Sequence, residues 1–320
     1  MTKKKLNFKK LGVFIGIVVV ILVVVIIGIK SLIDESNLRK TIEYKLGEVG
    51  YSDNEIEYIK TLKEDEINTL LNHKYNVNIT KLMKEKYFIF ANLDKYLDYI
   101  NENNSNLTDI VAKVNTKASL GWYKTIADTD TSKGELMLVN KFYKLSETYV
   151  PSDLVDVSLS YAYEGKQVSK VMYDSLTNML DAAKESGYNL VVSQGYRSYA
   201  DQEEAYNDIE ASSGVDYADK VAARPGQSEY QTGLSVVVKP LYTEGSDMEN
   251  SPEHTWILEN AHKYGFILRY PKDKENITGF SYDAWRLRYV GSNTARIIHN
   301  ENITFDEYYE YYINYGGINE

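Results

Sequence analysis

The stretch that decides the fold is Arg224-Pro225-Gly226-Gln227-Ser228-Glu229-Tyr230-Gln231-Thr232-Gly233-Leu234-Ser235-Val236-Val237-Val238. Its apolar end, residues 234–238, predicts a short strand that follows a polar turn. Two further apolar runs, 190–193 and 266–270, predict two more strands. The polar turn therefore lies among three predicted short strands.

Helical patterns fill the gaps between these strands. Residues 168–186 are amphipathic, and Gly187 after them is a good residue to end a helix. Residues 200–209 predict a helix that is capped near Ser198, and 254–264 predict another. One face of the first helix is apolar and consists of Met172, Leu176, Met179, Leu180 and Ala183. Helices and short strands mixed in this way predict an α+β fold rather than repeated βαβ units.

Composition and charge exclude several classes of function. The chain has 320 residues, no cysteine and a formal net charge of −10. The first 30 residues carry six lysines and no acid, so the remainder carries a charge of −16. Binding of nucleic acid through phosphate neutralisation is therefore not expected. Without cysteine there are no disulfides, no thiol catalysis and no cysteine-ligated zinc.

The N-terminal region predicts a membrane anchor. Residues 11–29 form an almost unbroken apolar run, long enough at about 1.5 Å per residue to cross a bilayer's hydrocarbon core. A cleaved signal peptide is the alternative, but no small-residue cleavage site follows the run. Because the lysines of the basic tail 1–10 precede it, we expect the tail in the cytoplasm and the chain after the span outside the cell.

Three further regions follow the predicted span. Residues 30–115 read as a module of short helices, residues 116–136 as a linker, and residues 137–314 as the main domain. The helical module is interpreted as a spacer, and the alternatives are that it packs on the main domain or binds a partner. The aromatic stretch 305–315 is expected to pack against the main domain.

Four blocks of the main domain, in order, resemble the VanY-type D-alanyl-D-alanine carboxypeptidases. They are 138–151, the Gly195–Tyr199 segment with Gln202, the opening stretch, and 260–291. The third block reads ARPGHSEHQTGLAVD in that family. The resemblance covers roughly residues 137–312 and implies the hedgehog/DD-peptidase α+β fold, peptidoglycan stem peptides as ligands, and a catalytic zinc.

The resemblance also implies which positions would hold the zinc. In the family the metal has two histidines and one aspartate as ligands, and a glutamate serves as general base. Here the ligand positions are Tyr230, Val237 and Arg286, and the base position is Asp283. Valine has no lone pair, tyrosine ligates only as a phenolate, and arginine carries a permanent positive charge. We therefore expect no zinc cofactor and no zinc hydrolysis.

Other residues of the family's substrate side are retained. The resemblance gives Arg197, Gln202 and Ser228 as substrate-binding positions, with Arg286 as a new candidate. Alternatively, Arg197 caps a helix or pairs with Asp201 or Glu229. Arg286 either holds a peptide carbonyl or carboxylate in place of zinc, or pairs with Asp283 and fills the old site. His254 and His262 are the histidines of this domain that offer a substitute metal ligand, and a structural role is expected for His262.

Three hypotheses follow for the function. The preferred one is a membrane-anchored, extracytoplasmic pseudoenzyme that binds peptidoglycan stem peptides or a cell-wall protein. The second is an active D,D- or L,D-carboxypeptidase with an unrecognised metal arrangement. The third is a structural protein that acts through the helical region 30–115.

Overall fold

In a computed structural model of the chain, the structure describes residues 8–38, 40–103, 105–241 and 248–315. They fall into two compact units, one ending at Lys84 and the other beginning at Glu85. The helices are α1 Phe8–Leu38, α2 Ile42–Val49, α3 Asp53–Ile59, α4 Glu64–Asn72, α5 Ile79–Leu82, α6 Leu93–Glu102, α7 Leu107–Asn115, α8 Lys170–Glu185, α9 Tyr199–Ser213, α10 Val215–Val221, α11 Pro252–Asn260, α12 Glu275–Thr278, α13 Ser292–Glu301 and α14 Phe305–Tyr308. The strands are β1 Ala127–Asp128, β2 Tyr143–Lys144, β3 Leu154–Asp156, β4 Gln167–Ser169, β5 Leu190–Gln194, β6 Ser235–Pro240, β7 Phe266–Tyr270 and β8 Asp283–Tyr289.

The first unit consists of the long helix α1 and four short helices. Among the described residues, α1 is the one helix long and apolar enough to cross a membrane, over Gly16–Asp34. The predicted span 11–29 lies within α1, whereas residues 1–7 of the predicted basic tail lie outside the described residues. Helices α2–α5 form a small core from their apolar faces, with Leu46, Ile59, Leu70, Ile79 and Leu82 fully buried.

The second unit starts upstream of the predicted main domain. It includes α6 and α7, which belong to the predicted helical module 30–115. The predicted linker 116–136 contains strand β1 and two 3-10 turns, Ala118–Leu120 and Thr131–Leu136. The domain limits that the sequence predicts stay a prediction.

A four-stranded antiparallel sheet, in the order β5-β6-β8-β7, positions the site. The predicted strands 190–193, 234–238 and 266–270 correspond to β5, β6 and β7, and the predicted α+β class is confirmed. The central strand β8 was not predicted from the sequence. Two small sheets, β1-β2 and β3-β4, lie outside the main one.

Helix α8 packs its predicted apolar face on the sheet. Met172, Leu176, Met179 and Ala183 are fully buried in one cluster with sheet residues such as Val236. At about 1.5–3 kcal/mol for each fully buried aliphatic side chain, this face is a main source of stability for the unit. The helix stops where Gly187 takes a left-handed conformation, as the sequence predicts.

The C-terminal aromatic stretch packs as predicted. It forms α14 and then a π-helical turn, Tyr309–Asn314. Phe305, Tyr308, Tyr309 and Tyr311 are buried in a cluster with Ile298 and other apolar residues. The stretch thus buries most of its aromatic rings against the domain, and Tyr315 at its end is exposed.

Candidate functional site

A bulge in the central strand shapes the site. On β7, Leu268 and Tyr270 are two residues apart, but their partners on β8, Leu287 and Asp283, are four apart. The extra residues bend β8 and interrupt the strict alternation of its side chains. As a result Asp283 and Arg286 meet, although residues three apart in a regular strand point to opposite faces.

Arg286 is ion-paired with the carboxylate at the family's base position. Its Nη2 lies 3.0 Å from Oδ2 of Asp283, and the two side chains are 18% and 30% exposed. Asp283 Oδ1 also accepts a hydrogen bond from the backbone N–H of Trp285 at 3.2 Å. Of the two arrangements that the sequence left open for Arg286, the structure therefore contains the pair with Asp283.

The third block of the sequence forms a tight turn that delivers Tyr230 to this pair. Residues Glu229–Thr232 form a 3-10 turn, and Gly233 then adopts φ +69° to enter β6. A side chain at that position would be strained, and its Cβ would lie 3.0 Å from the backbone nitrogen of Ser169. Tyr230 is 4% exposed, and its ring centroid lies 4.3 Å from the guanidinium carbon of Arg286.

The three family ligand positions do not fit a zinc ion. Val237 lies opposite Arg286 in the β6–β8 register and offers no donor atom. Burial raises the pKa of Tyr230, an effect that the guanidinium groups of Arg286 and Arg197 oppose only in part, so its phenol stays protonated at neutral pH. Burial alone would lower the pKa of Arg286, but Tyr230 and Asp283 outweigh it and raise it, so the guanidinium remains a cation. Zinc takes neutral imidazole, carboxylate or thiolate donors, and none of the three positions supplies one.

Arg197 contacts Tyr230 and one retained residue, Gln202. Its guanidinium carbon lies 4.8 Å from the Tyr230 ring centroid, and its backbone N–H donates to the Tyr230 carbonyl at 3.3 Å. Nη1 of Arg197 donates to Oε1 of Gln202 at 3.1 Å. The alternative partners do not pair with it, because Asp201 accepts from Ser198 at the start of α9 and Glu229 from two other arginines.

Gln202 and Ser228 are buried at 2% exposure each. The Gln202 side chain bridges Arg197 and the Ala223 carbonyl, to which Nε2 donates at 2.7 Å. Ser228 Oγ accepts the backbone N–H of Tyr230 at 3.4 Å. These contacts hold the turn and Arg197 in place, and direct contact of either residue with a ligand stays a prediction.

A cavity of about 420 Å³ opens beside the ion pair. Asp283 and Arg286 line it, together with two further charged side chains, Lys220 and Glu249. Its aromatic lining consists of Tyr270, Phe280, Tyr282 and Trp285. The lining residues do not include Arg197, Gln202, Ser228 or Tyr230. The predicted substrate-binding residues therefore fall into two groups, Arg286 at the cavity and the other three away from it. Arg286 and Arg197 both contact the Tyr230 ring, which connects the two groups.

A buried charge network lies directly behind the turn. Glu229, fully buried, accepts from Nε of Arg269 at 2.7 Å and from Nη1 of Arg288. Arg269 also donates to Asp306 at 2.7 Å, and Asp306 accepts from Asn140 at 2.7 Å. Two guanidinium groups and two carboxylates therefore balance in charge, which fixes Glu229 and with it the position of Tyr230.

Sequence reasoning missed this network and one further buried cation. Lys141 is 2% exposed, donates to the Asp219 carbonyl at 2.6 Å, and lies 4.5 Å from the Phe280 ring centroid. Burial lowers its pKa to about 8. The available signal for Arg269 was a charged residue inside the apolar run Phe266–Tyr270, whereas Lys141 follows the polar Asn140 and gives a weaker signal.

The histidines of this unit pack against other rings. His254 is buried, and its Nε2 lies 3.2 Å from the Tyr282 hydroxyl. His262 stacks on His299 with ring centroids 3.7 Å apart. Over the described part of the chain, no group of three or more His, Cys, Asp or Glu residues is arranged to hold a metal ion.

Known proteins resemble this chain over the same region. The family described as VanY, D-alanyl-D-alanine carboxypeptidase, matches residues 165–292. YodJ of Bacillus subtilis (strain 168), named as a carboxypeptidase, is 40% identical over 183 residues, which cover 55% of this chain and 67% of that protein. The bifunctional D-Ala-D-Ala dipeptidase and D-Ala-D-Ala carboxypeptidase VanXYC of Enterococcus gallinarum is 31% identical, with 55% of this chain and 94% of that protein covered.

A solved structure agrees with these relatives. The LdcB LD-carboxypeptidase is 38% identical and superimposes with a TM-score of 0.54 over 58% of this chain and 90% of that chain. The family to which these proteins belong is zinc-dependent and acts on peptidoglycan peptides. By the matched fold, the ordered motifs and these identities, the chain belongs to the VanY D-alanyl-D-alanine carboxypeptidase family.

Proposed function

We propose that this chain is a membrane-anchored, extracytoplasmic and catalytically inactive member of the family that binds peptidoglycan stem peptides. The proposal depends on the Arg286–Asp283 ion pair, which packs against the Tyr230 ring. This pair lies where the three zinc ligands lie in the family. A hydrolytic member needs a Lewis acid and a free carboxylate there. Here a permanent cation occupies the ligand position and engages the carboxylate at the base position.

Binding without hydrolysis is supported by what the site retains. The cavity of about 420 Å³ has an aromatic wall and two cationic side chains, Lys220 and the newly placed Arg286. Arg197 and the turn that holds Tyr230 are fixed by hydrogen bonds within the site. A preorganised cleft of this kind loses little conformational entropy when it binds a peptide. Such a cleft can therefore bind a peptide without hydrolysing it.

The full chain, purified in detergent, tests the proposal with a pentapeptide stem. We expect no release of D-alanine by mass spectrometry, with or without added zinc, while calorimetry detects binding. We expect Arg286→Gln to lose the binding, whereas Arg296→Gln, a change at an exposed arginine of α13, leaves it intact. Hydrolysis that a chelator abolishes and zinc restores would instead establish the active carboxypeptidase, and absence of binding would remove the peptide-binding role.

Anchoring in the membrane forms a separate part of the proposal. It is supported by the apolar helix α1, in which Gly16–Asp34 has exposed side chains, and by the lysines that precede the apolar run. We expect the full chain to resist alkaline carbonate extraction from membranes. Protease added to intact spheroplasts should digest the second unit. Release by carbonate, or protection from protease, would contradict this topology.

A further inference from the structure

The guanidinium of Arg286 has unused hydrogen-bonding capacity. A guanidinium carries five N–H donors in a planar fork that matches a carboxylate. Nη2 of Arg286 meets Asp283 Oδ2 at 3.0 Å, and the buried Nε has no hydrogen-bond partner in the part of the chain that the structure describes. Tyr230 covers one face of the group through its ring. The cation is thus held by one carboxylate edge and by a hydrogen bond to the Tyr230 phenol, while its Nε donor is left over in the described part of the chain.

The charges that line the cavity cancel only because of Asp283. Two cations, Lys220 and Arg286, face two anions, Glu249 and Asp283. Asp283 is 30% exposed at the cavity, so it can exchange its contact with Arg286 for water. An ion pair with a partly exposed carboxylate is a weak interaction, and an incoming carboxylate is chemically equivalent to the group it would displace.

We propose that Arg286 is a carboxylate-binding site and that Asp283 is its internal competitor. A ligand with a free carboxylate displaces the Asp283 carboxylate from Arg286 when it enters the cavity. Asp283, at the base position of the family, thereby sets the selectivity of the site. Only a ligand with a carboxylate replaces the interaction that Arg286 loses when Asp283 is displaced. This inference rests on the proposed peptide-binding function and specifies the ligand group that the site recognises.

Two measurable consequences follow from this exchange. A peptide amide cannot replace the carboxylate, so it should bind about tenfold more weakly than the free acid. Asp283→Asn removes the competitor, keeps an oxygen for the Trp285 N–H, and leaves the cavity with one net positive charge. The free acid should then bind about threefold to fivefold more tightly, because the competing ion pair is weak, and the amide should bind as it does to the unmodified protein.

The experiment is calorimetric titration of the full chain in detergent with diacetyl-L-lysyl-D-alanyl-D-alanine and with its C-terminal amide. Asp283→Asn and Asp283→Ser are compared with Asp216→Asn, which removes an exposed carboxylate of α10 outside the cavity. Tighter binding of the acid alone in both Asp283 variants, with no change in the Asp216 variant, supports the exchange.

The remaining outcomes separate the two proposals. Equal binding of acid and amide, or an affinity that either Asp283 variant leaves unchanged or weakens, overturns the exchange while the peptide-binding function stands. An equal gain from Asp216→Asn also overturns it, because net charge alone would then explain the gain. If neither the unmodified protein nor the Asp283 variants bind either peptide, the proposed function itself fails.

Discussion

Replacing Glu229 by glutamine should destabilise the second unit strongly. Glu229 is fully buried and joins Arg269 and Arg288, whose side chains are also fully buried. Glutamine keeps the shape but removes the negative charge, so two guanidinium groups remain with the single carboxylate of Asp306. Breaking a buried ion pair from one side typically costs about 3–5 kcal/mol, because the surviving charge is left uncompensated away from water.

Tryptophan fluorescence during urea unfolding measures this cost in the right part of the molecule. The three tryptophans, Trp122, Trp256 and Trp285, all lie in the second unit. We expect the free energy of unfolding to fall by about 3–5 kcal/mol. For a unit of this size that loss corresponds to a decrease in Tm of roughly 6–20 °C.

A matched control separates the network from the general effect of a lost carboxylate. Glu203→Gln changes an exposed glutamate on α9 and should alter stability by less than about 0.5 kcal/mol. A loss below about 1 kcal/mol in Glu229→Gln would refute the reasoning that this network holds the turn in place.

Two further predictions concern stability. Burial lowers the pKa of Lys141 from 10.5 to about 8. Above about pH 8 the unfolded chain therefore binds one proton more than the folded chain, so stability increases with pH. The free energy of unfolding should rise by about 1–2 kcal/mol between about pH 8 and about pH 9.5. Urea unfolding at several pH values should show this rise and its loss in Lys141→Met; an identical slope in the variant would contradict it. A Cβ at Gly195 would lie 2.4 Å from the Gln167 carbonyl oxygen, so Gly195→Ala should cost about 1–3 kcal/mol in circular-dichroism unfolding. Gly47→Ala in α2, where a Cβ meets nothing within 4 Å, should instead be neutral or stabilising, and equal losses in both would contradict the steric argument.

Local sequence patterns predicted the helices that have one apolar face and the strands that consist of a short apolar run. The α8 face from Met172 to Ala183 is buried as its spacing indicates, and β7 has the predicted limits 266–270. Ser198 caps α9 with Asp201, as a polar residue before a helical run suggests. These features depend on residues close together in the chain, so the sequence displays them directly.

The features that the sequence did not display depend on distant partners. Arg288 and Glu229 are 59 positions apart, and no periodicity connects them. Residues 285–289 of strand β8 alternate between apolar and charged side chains, which is typical of a strand, and the bulge near Asp283 interrupts this pattern. The meeting of Asp283 and Arg286 was foreseen as one of two alternatives, and the bulge that allows it becomes evident only from the pairing with β7.

The zinc content of the purified protein shows directly whether the three replaced ligand positions still bind a metal. The full chain, purified in detergent, is loaded with zinc, freed of excess metal and measured by mass spectrometry beside a family enzyme with its ligands intact. We expect a metal content near zero for this chain and about one zinc per chain for the control, because Tyr230, Val237 and Arg286 offer no donor set for zinc. Near-stoichiometric zinc in this chain would contradict the account and restore the hydrolytic interpretation.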